Sequence, residues 1–359
     1  MKKLIVLLAA VCVLLTGCGE APEVTEFEQV TPRVCELVMC EPETYFTGIG
    51  NGIVISEWPT HSLTKYLYFY DTNTGEYMGI YEIPEKFLGH TGYSKGEGDE
   101  LLELVMKRTD YTQSPPKYFA RAMHLYKDFS YEIDDDCGPA DFASEVCGHK
   151  LAKWDLDIID VESGEVILQG YRPEGDENYD HTTEHSLKFE LDENRFLYRT
   201  SAYNSDSKYS IYDFRTGTST EVPGLSDYYL IGCHDGRIYS ISDPWYSDSN
   251  NLFVTDTETL ETTVFMEPPF EIDPWYDSIS YHMPSSGEYI IAYKPACLER
   301  ETIPHPAWIY KINPETARIE AMYELPEEYH FTAEGTMIDG DVFMILCDTE
   351  EKLLMVDIE

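Results

Sequence analysis

Beyond residue 32, short runs of alternating apolar and polar residues recur along the chain, and a turn signal follows most of them. The clearest runs cover residues 68–71, 158–160, 211–213, 253–256 and 308–312. Each ends at or directly before an Asp or Asn, and three residues after that Asp or Asn comes a Thr or Ser, which Gly usually follows. Alternation with a period of two predicts strands. The Asp or Asn side chain caps a tight turn, and Gly takes the positive φ that such a turn needs.

The spacing of these turns predicts the architecture. The turn residues, with a sixth at the end of the last strand, are Asp71, Asp160, Asp213, Asp256, Asn313 and Asp357. Their separations run from 43 to 57 residues, except for 89 between the first two. Four strands in about 45 residues are typical of a β-propeller. The sequence therefore predicts an all-β propeller of six blades, one of which carries an insertion at about 108–150. The alternative is seven blades, with residues 124–126 in an extra strand.

The chain ends just after the third strand of its last repeat, and an open ring would leave an exposed edge. Residues 33–39 resemble a strand without a blade of its own. We expect them to complete the last blade, so that the propeller domain covers residues 33–359. In the spacing of its repeats the chain resembles bacterial six-bladed propellers. Its turn motif is shared by quinoprotein-like and TolB-like repeats. The regular tryptophan pattern of quinoproteins is missing, so the resemblance does not imply pyrroloquinoline quinone or any other definite cofactor.

The first eighteen residues predict where the protein resides. Lys2 and Lys3 precede an apolar run of about twelve residues, which is too short to span a bilayer. The run ends in Leu15-Thr16-Gly17-Cys18, which resembles the lipobox of bacterial lipoproteins. The resemblance implies a signal peptide at 1–17 and fatty acyl chains, such as palmitate, on Cys18. It predicts anchoring to the extracytoplasmic face of a bacterial cell membrane. The alternative is an ordinary secretory signal with a chance cysteine.

Between this signal and the first strand, residues 18–32 are acidic, contain proline and lack periodicity. They predict a flexible tether between the lipid and the folded domain.

The charge balance excludes several classes of partner. The 359 residues include 67 Asp and Glu against 25 Lys and Arg, which gives a net charge of −42. Such a surface repels nucleic acid and anionic lipid headgroups. We therefore expect no nucleic-acid partner, and membrane contact only through the lipid.

The remaining cysteines do not form a recognisable framework. Seven lie beyond Cys18, and none belongs to a CxxC pair. Cys137 and Cys147 flank a Gly-Pro loop and could form a disulfide in an oxidising compartment. Buried free thiols are the alternative.

Long connections between the second and third strands, and between successive blades, should gather on one face of the ring. That face carries the sequence Asp-Pro-Trp-Tyr twice, which supplies Trp245, Tyr246, Trp275 and Tyr276, and a loop near Trp58. Trp and Tyr offer flat apolar area with a polar edge, which suits contacts with sugar rings or a protein partner. The alternative is packing of these rings between blades.

The catalytic motifs are incomplete. His181, Glu184 and His185 fit H-x-x-E-H, but that metalloprotease pattern needs a helix, and the flanking residues indicate a loop and then a strand. These three residues could instead hold calcium or another divalent ion, with a solvated surface as the alternative. Residues 92–96 fit G-x-S-x-G without the strand and helix of a nucleophile elbow.

Two hypotheses about function follow. The first is a membrane-anchored lipoprotein whose propeller binds a glycan or protein ligand and is not an enzyme. The second is a propeller-type hydrolase or lyase that acts on an extracellular polymer through carboxylates near the ring axis.

Overall fold

The computed structural model describes residues 26–38, 45–50, 53–60, 63–87, 92–95, 100–110, 117–154, 156–171, 183–202, 207–242, 250–268, 279–296, 306–330, 335–347 and 350–358. These residues form β-strands and four short 3₁₀ helices, at Glu85–Phe87, Pro139–Phe142, Leu225–Asp227 and Glu327–Tyr329. Within these ranges, no helix has the length and apolar character needed to cross a membrane. The all-β prediction is confirmed.

The strands form successive antiparallel sheets, which we call blades and number in chain order. Two strands precede them, β1 (Glu28–Gln29) and β2 (Arg33–Glu36). Blade 1 contains β3 (Tyr45–Gly50), β4 (Ile53–Thr60), β5 (Leu63–Asp71) and β6 (Glu76–Glu82). Blade 2 contains β7 (Gly92–Lys95), β8 (Glu100–Asp110), β9 (Lys117–Tyr126) and β10 (Tyr131–Cys137). Blade 3 contains β11 (Ser144–Val146), β12 (His149–Trp154), β13 (Asp157–Asp160) and β14 (Glu165–Leu168).

The second half of the chain continues the same order. Blade 4 contains β15 (Thr183–Asp192), β16 (Arg195–Ala202), β17 (Lys208–Asp213) and β18 (Thr218–Glu221). Blade 5 contains β19 (Tyr228–His234), β20 (Arg237–Ser242), β21 (Leu252–Asp256) and β22 (Thr262–Met266). Blade 6 contains β23 (Ser280–His282), β24 (Ile290–Lys294), β25 (Trp308–Ile312) and β26 (Ile319–Glu324). Blade 7 contains β27 (Gly335–Asp339), β28 (Val342–Cys347), β29 (Lys352–Asp357) and, as its fourth strand, β2.

The blades close into a ring. Along the ring, β15, β19, β23, β27, β3 and β7 contact one another in turn, so the first strands of the blades lie innermost. Apolar clusters lie between consecutive blades, because each sheet buries residues on both faces. Phe343, for example, packs between blades 6 and 7, and Tyr70 packs between blades 7 and 1. This arrangement confirms the predicted propeller.

The described strands make seven sheets rather than six, which is the count of the alternative prediction. The extra sheet is blade 2, and residues 108–150 are not an insertion, because they supply strands of blades 2 and 3. The turn of blade 2 does not match the predicted motif because no Thr or Ser lies three residues after Asp128, where Tyr131 stands. Oδ1 of Asp128 accepts a hydrogen bond from the Ser130 N–H at 2.9 Å, as in the other turns. The positive φ, 61°, falls on Phe129, however.

The predicted capped turns are confirmed in the other blades. The N–H groups of Asn73 and Thr74 donate to Oδ1 of Asp71 at 2.7 and 3.2 Å. The N–H of Gly75, with φ 75°, donates to the carbonyl oxygen of Asp71 at 2.8 Å. The side chains of four other turn residues also accept a hydrogen bond from the backbone N–H two residues later, namely Asp160, Asp213, Asp256 and Asn313.

The N-terminal strand completes the last blade, as predicted. Strand β2 pairs antiparallel with β29, in a register that places Cys35 opposite Leu353. The guanidinium of Arg33 pairs with Asp357 and donates to the carbonyl oxygen of Thr72 in the blade 1 turn at 3.1 Å. Gly75 in that turn lies so close that a Cβ there would be 2.9 Å from the Val34 carbonyl oxygen. The closing strand is therefore fixed to both of its neighbouring blades.

The tether is shorter than predicted, because its last residues dock on blade 6. Strand β1 pairs parallel with β26 as a fifth strand. The Phe27 ring stacks on Trp308 with centroids 5.4 Å apart, and the Val30 N–H donates to the Glu324 carbonyl oxygen at 3.2 Å. Residues 1–25, which include Cys18, lie outside the described residues.

Candidate binding cleft

The two faces of the ring differ in the length of their connections. The third and fourth strands are joined by short turns, such as the one from Asp71 to Glu76. We call this side the turn face, and the opposite side the loop face. On the loop face, β24 ends at Lys294 and β25 begins only at Trp308, while β14 ends at Leu168 and β15 begins at Thr183. The longest connections are thus gathered on one face, as expected of a binding surface.

Of the five predicted aromatic residues, only Trp58 lies within the described part of the chain. Trp58 lies within β4, opposite Tyr66, and not in a loop, because β4 continues to Thr60 and β5 begins at Leu63. Trp245, Tyr246, Trp275 and Tyr276 lie outside the described residues. Strands β20 and β22, which precede these residues in the chain, run in the same direction and both end at the loop face.

The arrangement around the H-x-x-E-H motif argues against a metal site. Glu184 and His185 are neighbours in β15, and side chains of adjacent strand residues point to opposite faces. Nδ1 of His185 is 3.0 Å from Oγ1 of Thr200, and Nε2 is 3.1 Å from the carbonyl oxygen of Gln169, so both ring nitrogens have protein partners. Lys153 pairs with Glu184 at 3.1 Å. His181 lies outside the described residues. Elsewhere in the described ranges, no group of three or more His, Cys, Asp and Glu could hold a metal ion.

Cys137 and Cys147 do not form the disulfide that their spacing suggested. Both are buried free thiols. Cys137 packs with Ala120 and Ala122, whereas Cys147 packs in the cluster between blades 3 and 4. Burial raises the pKa of Cys137 to about 11 and that of Cys147 to about 12, and nearby carboxylates, including Glu190 beside Cys147, add to the rise. Neither thiol is therefore activated as a nucleophile.

A cleft of about 1030 Å³ lies between blades 4 and 5. Its walls are residues 187–189 of β15, Arg199 of β16, Ser207 and Tyr209 at the start of β17, and residues 226–230 around the start of β19. Because β17 and β19 both begin at the loop face, the cleft lies toward that face. We call it the interblade cleft.

Irregular pairing in the inner strands shapes this cleft. The register of β15 against β16 shifts between Leu187 and Phe189, which makes Lys188 the extra residue of a bulge. Leu187 packs with the cluster between blades 3 and 4, and Phe189 packs with the cluster between blades 4 and 5. The register of β19 also shifts, between Leu230 and Gly232. Such bulges redirect side chains and are frequent beside functional sites.

The cleft contains uncompensated positive charge. Lys188 is exposed there and makes no ion pair or hydrogen bond with any described residue. Partial desolvation, followed by the charges of Arg199 and Lys153, lowers its pKa below the ordinary value for lysine. Nη2 of Arg199 donates to the Ser207 hydroxyl at 2.6 Å, while its buried Nε has no partner among the described residues.

Aromatic rings and one acid complete the lining. Four aromatic residues are among those that line the cleft, namely Phe189, Tyr209, Tyr228 and Tyr229. Tyr228 is held against Phe253 with ring centroids 4.9 Å apart, whereas Tyr229 is 50% exposed. Asp227 is exposed in the short 3₁₀ helix that precedes β19. The combination of two cations with flat aromatic surfaces can hold an anionic ligand that also carries rings.

Comparisons with known proteins assign no family to this chain. No protein-family model and no curated protein sequence matches this chain. A prolyl endopeptidase structure is 12% identical, with 90% of this chain and 50% of that chain covered and a TM-score of 0.44. This chain thus spans half the length of that enzyme. The propeller domain of the trilobed protease from Pyrococcus furiosus is 11% identical over 88% of this chain and 96% of that chain, with a TM-score of 0.44.

A further solved structure is also weakly similar to this chain. BamB from Moraxella catarrhalis is 10% identical, covers 94% of this chain and 93% of its own, and gives a TM-score of 0.36. At these identities the likeness assigns no activity, ligand or partner. The propeller fold observed in this chain is compatible with an interaction module, and it hosts many other functions in proteins generally.

Proposed function

We propose that this protein is a lipid-anchored binding module on the extracytoplasmic face of a bacterial membrane, and that its loop face binds a glycan. One observation carries the binding part of the proposal. In a chain of net charge −42, the interblade cleft exposes Lys188 and Arg199, and no described carboxylate forms an ion pair with either. Surface cations in so acidic a chain have many acids available as partners, so two left unpaired in one cleft indicate a ligand site.

The course of the N-terminal segment supports the proposed anchoring. Strand β1 runs parallel to β26, which runs from the turn face to the loop face. The chain that precedes Phe27 therefore leaves from the turn face. Eight residues lie between Cys18 and Phe27, and the nine Cα–Cα steps span at most about 30 Å when extended. A lipid on Cys18 would thus hold the turn face toward the membrane and leave the loop face accessible to a ligand.

The aromatic segments of blade 5 extend the proposed surface. Both Asp-Pro-Trp-Tyr sequences follow strands that end at the loop face, on the blade that forms one wall of the interblade cleft. Aromatic side chains beside a cleft suit stacking on successive sugar rings. A protein ligand is the alternative occupant of this surface.

We expect the substitution Cys18→Ser to move the protein from the membrane fraction to the soluble extracytoplasmic fraction, because no acyl chain can be attached to serine by a thioether. Cys12→Ser, within the apolar run of the signal, is the matched control and should remain in the membrane fraction. Detergent fractionation, with mass spectrometry of the N-terminal peptide, checks both variants. Membrane residence of the Cys18→Ser protein, or an unmodified Cys18 in the wild type, would contradict the anchor.

A further inference from the structure

We infer that the interblade cleft selects a carboxylate-bearing sugar, so that the glycan bound by this protein is an acidic oligosaccharide. This inference rests on the proposed function and names its ligand class. It is argued from three properties of the described lining residues, which are their charge, their rings and the size of the space that they enclose.

The charge of the lining favours a monovalent anion. Lys188 and Arg199 contribute two positive charges, and Asp227 contributes one negative charge. Lys153, the nearest further cation, is already paired with Glu184. A single carboxylate therefore neutralises the lining, whereas a phosphate dianion would leave an excess of negative charge beside Asp227.

The positions of the two cations fit a ligand that enters from the loop face. Arg199 is fixed by its hydrogen bond to Ser207, so its guanidinium is positioned before a ligand arrives. Lys188 has no such restraint, and it projects from a bulge in the innermost strand of blade 4. A fixed guanidinium with a flexible ammonium nearby can accept a carboxylate from more than one direction.

The rings and the volume indicate a sugar and not a small inorganic or organic acid. Tyr209 and Tyr228 line the cleft and are partly buried, so the cleft offers aromatic surface for the apolar C–H side of a sugar ring. A cleft of about 1030 Å³ lies at the upper end of the range for small-molecule sites, about 300–1,000 Å³. More than one sugar ring fits this space.

The negative charge of the protein as a whole disfavours non-specific binding of an acidic oligosaccharide. At −42 the surface repels polyanions, so an acidic oligosaccharide gains nothing from non-specific attraction. Binding of such a ligand would require a local positive site, and it would weaken as salt screens that site.

The test is calorimetric titration of the full-length protein in detergent with an otherwise neutral tetrasaccharide that carries one galacturonic acid residue and with the methyl ester of that tetrasaccharide. The two probes have the same rings, and only the first has a carboxylate. We expect the acid to bind at least tenfold more tightly than the ester. Lys188→Gln and Arg199→Gln should each raise Kd for the acid at least tenfold. Lys208→Gln is the matched control and should leave Kd unchanged, because Lys208 is an exposed lysine of blade 4 that is paired with Glu221.

Three further measurements distinguish loss of the cleft's binding groups from misfolding of the variants and from non-specific binding of anions. Lys188→Gln should melt at the wild-type temperature or above, because Lys188 makes no ion pair with a described residue and lies near two other cations. Arg199→Lys retains the charge and should restore part of the affinity lost in Arg199→Gln. Inorganic phosphate at 10 mM should not displace the bound tetrasaccharide, and displacement would contradict selection of a carboxylate.

The outcomes separate this inference from the proposed function. Equal affinity for the acid and the ester would overturn the inference while supporting a glycan-binding module. Unchanged affinity in both cleft variants would place the site elsewhere and overturn the inference in the same way. Failure of both probes to bind the wild type would contradict the inference and the glycan function together.

Discussion

Substitution of Cys35 by Asp is expected to destabilise the propeller by about 3–5 kcal/mol, the cost typical of an unpaired buried charge. Cys35 is fully buried in β2, where it packs with Tyr70 of blade 1 and with Met344 and Leu353 of blade 7. Burial, and then the charge of Glu36, already raises the pKa of this thiol to about 11. A carboxylate at the same position would face the same low dielectric and would open the contact that closes the ring.

Thermal unfolding and urea titration measure this effect. Val38→Asp is the control, since Val38 lies three residues further along and is 52% exposed. We expect the control to change stability by less than about 0.5 kcal/mol, which is usual for surface substitutions. A Cys35→Asp protein as stable as the control would mean that β2 does not close the ring.

Acidification from pH 6.5 to about 4 is expected to remove about 3 kcal/mol of stability through His282 alone. Desolvation lowers the pKa of His282 from 6.5 to about 4 in the folded protein. The ring lies between blades 6 and 7, where Nε2 is 2.7 Å from Oγ1 of Thr336 and the ring is 5.6 Å from that of Phe343. Because the unfolded chain binds the proton first, stability is complete above pH 6.5 and falls as pH decreases toward the folded pKa.

Urea unfolding at half-unit pH steps from 7 to 4.5 measures the slope. His282→Gln should flatten it, because glutamine can bond to Thr336 without titrating. The pKa of Asp160 is lowered, because hydrogen bonds from His149 and from the turn N–H groups outweigh its desolvation, so this carboxylate keeps its contribution at every pH above its ordinary pKa. An unchanged slope in His282→Gln would refute the assignment.

The turns show how far the sequence predicts the fold. An Asp or Asn followed by Thr or Ser and Gly is a local signal, and each such turn forms as expected because its hydrogen bonds lie within five residues. Blade 2 lacks the signal because Tyr131 stands three residues after Asp128, where the other turns have Thr or Ser, and tertiary packing holds its turn. The Phe129 ring packs edge-on against Phe69 of blade 1 and fills the space left by Gly79, where a Cβ would lie 2.8 Å from the ring. No local pattern records that contact.

The interblade cleft could not be predicted from the sequence for a similar reason. Lys188 and Arg199 stand in ordinary alternating strands, and nothing beside them forms a motif. They come together because β15 bulges at Lys188 and pairs with β16, which places Ser186 opposite Arg199. A bulge depends on the packing of Leu187 and Phe189 against two different blades, which is a property of the assembled ring. Basic residues are scarce in the sequence, which makes each of them a candidate for a ligand site. The sequence does not indicate which of them lack an ion pair in the folded protein.

Hydrogen–deuterium exchange with and without the tetrasaccharide that carries one galacturonic acid residue tests the central claim most directly, because it locates the ligand on the ring without any substitution. We predict slower exchange at residues 187–189 and 226–230 and in the peptide that contains Ser207 and Tyr209, all of which line the interblade cleft. Peptides of the turn face, such as those that span Asp71–Glu76 and Asp213–Thr218, should be unaffected. Protection confined to the turn face, or absent from both walls of the cleft, would contradict the account.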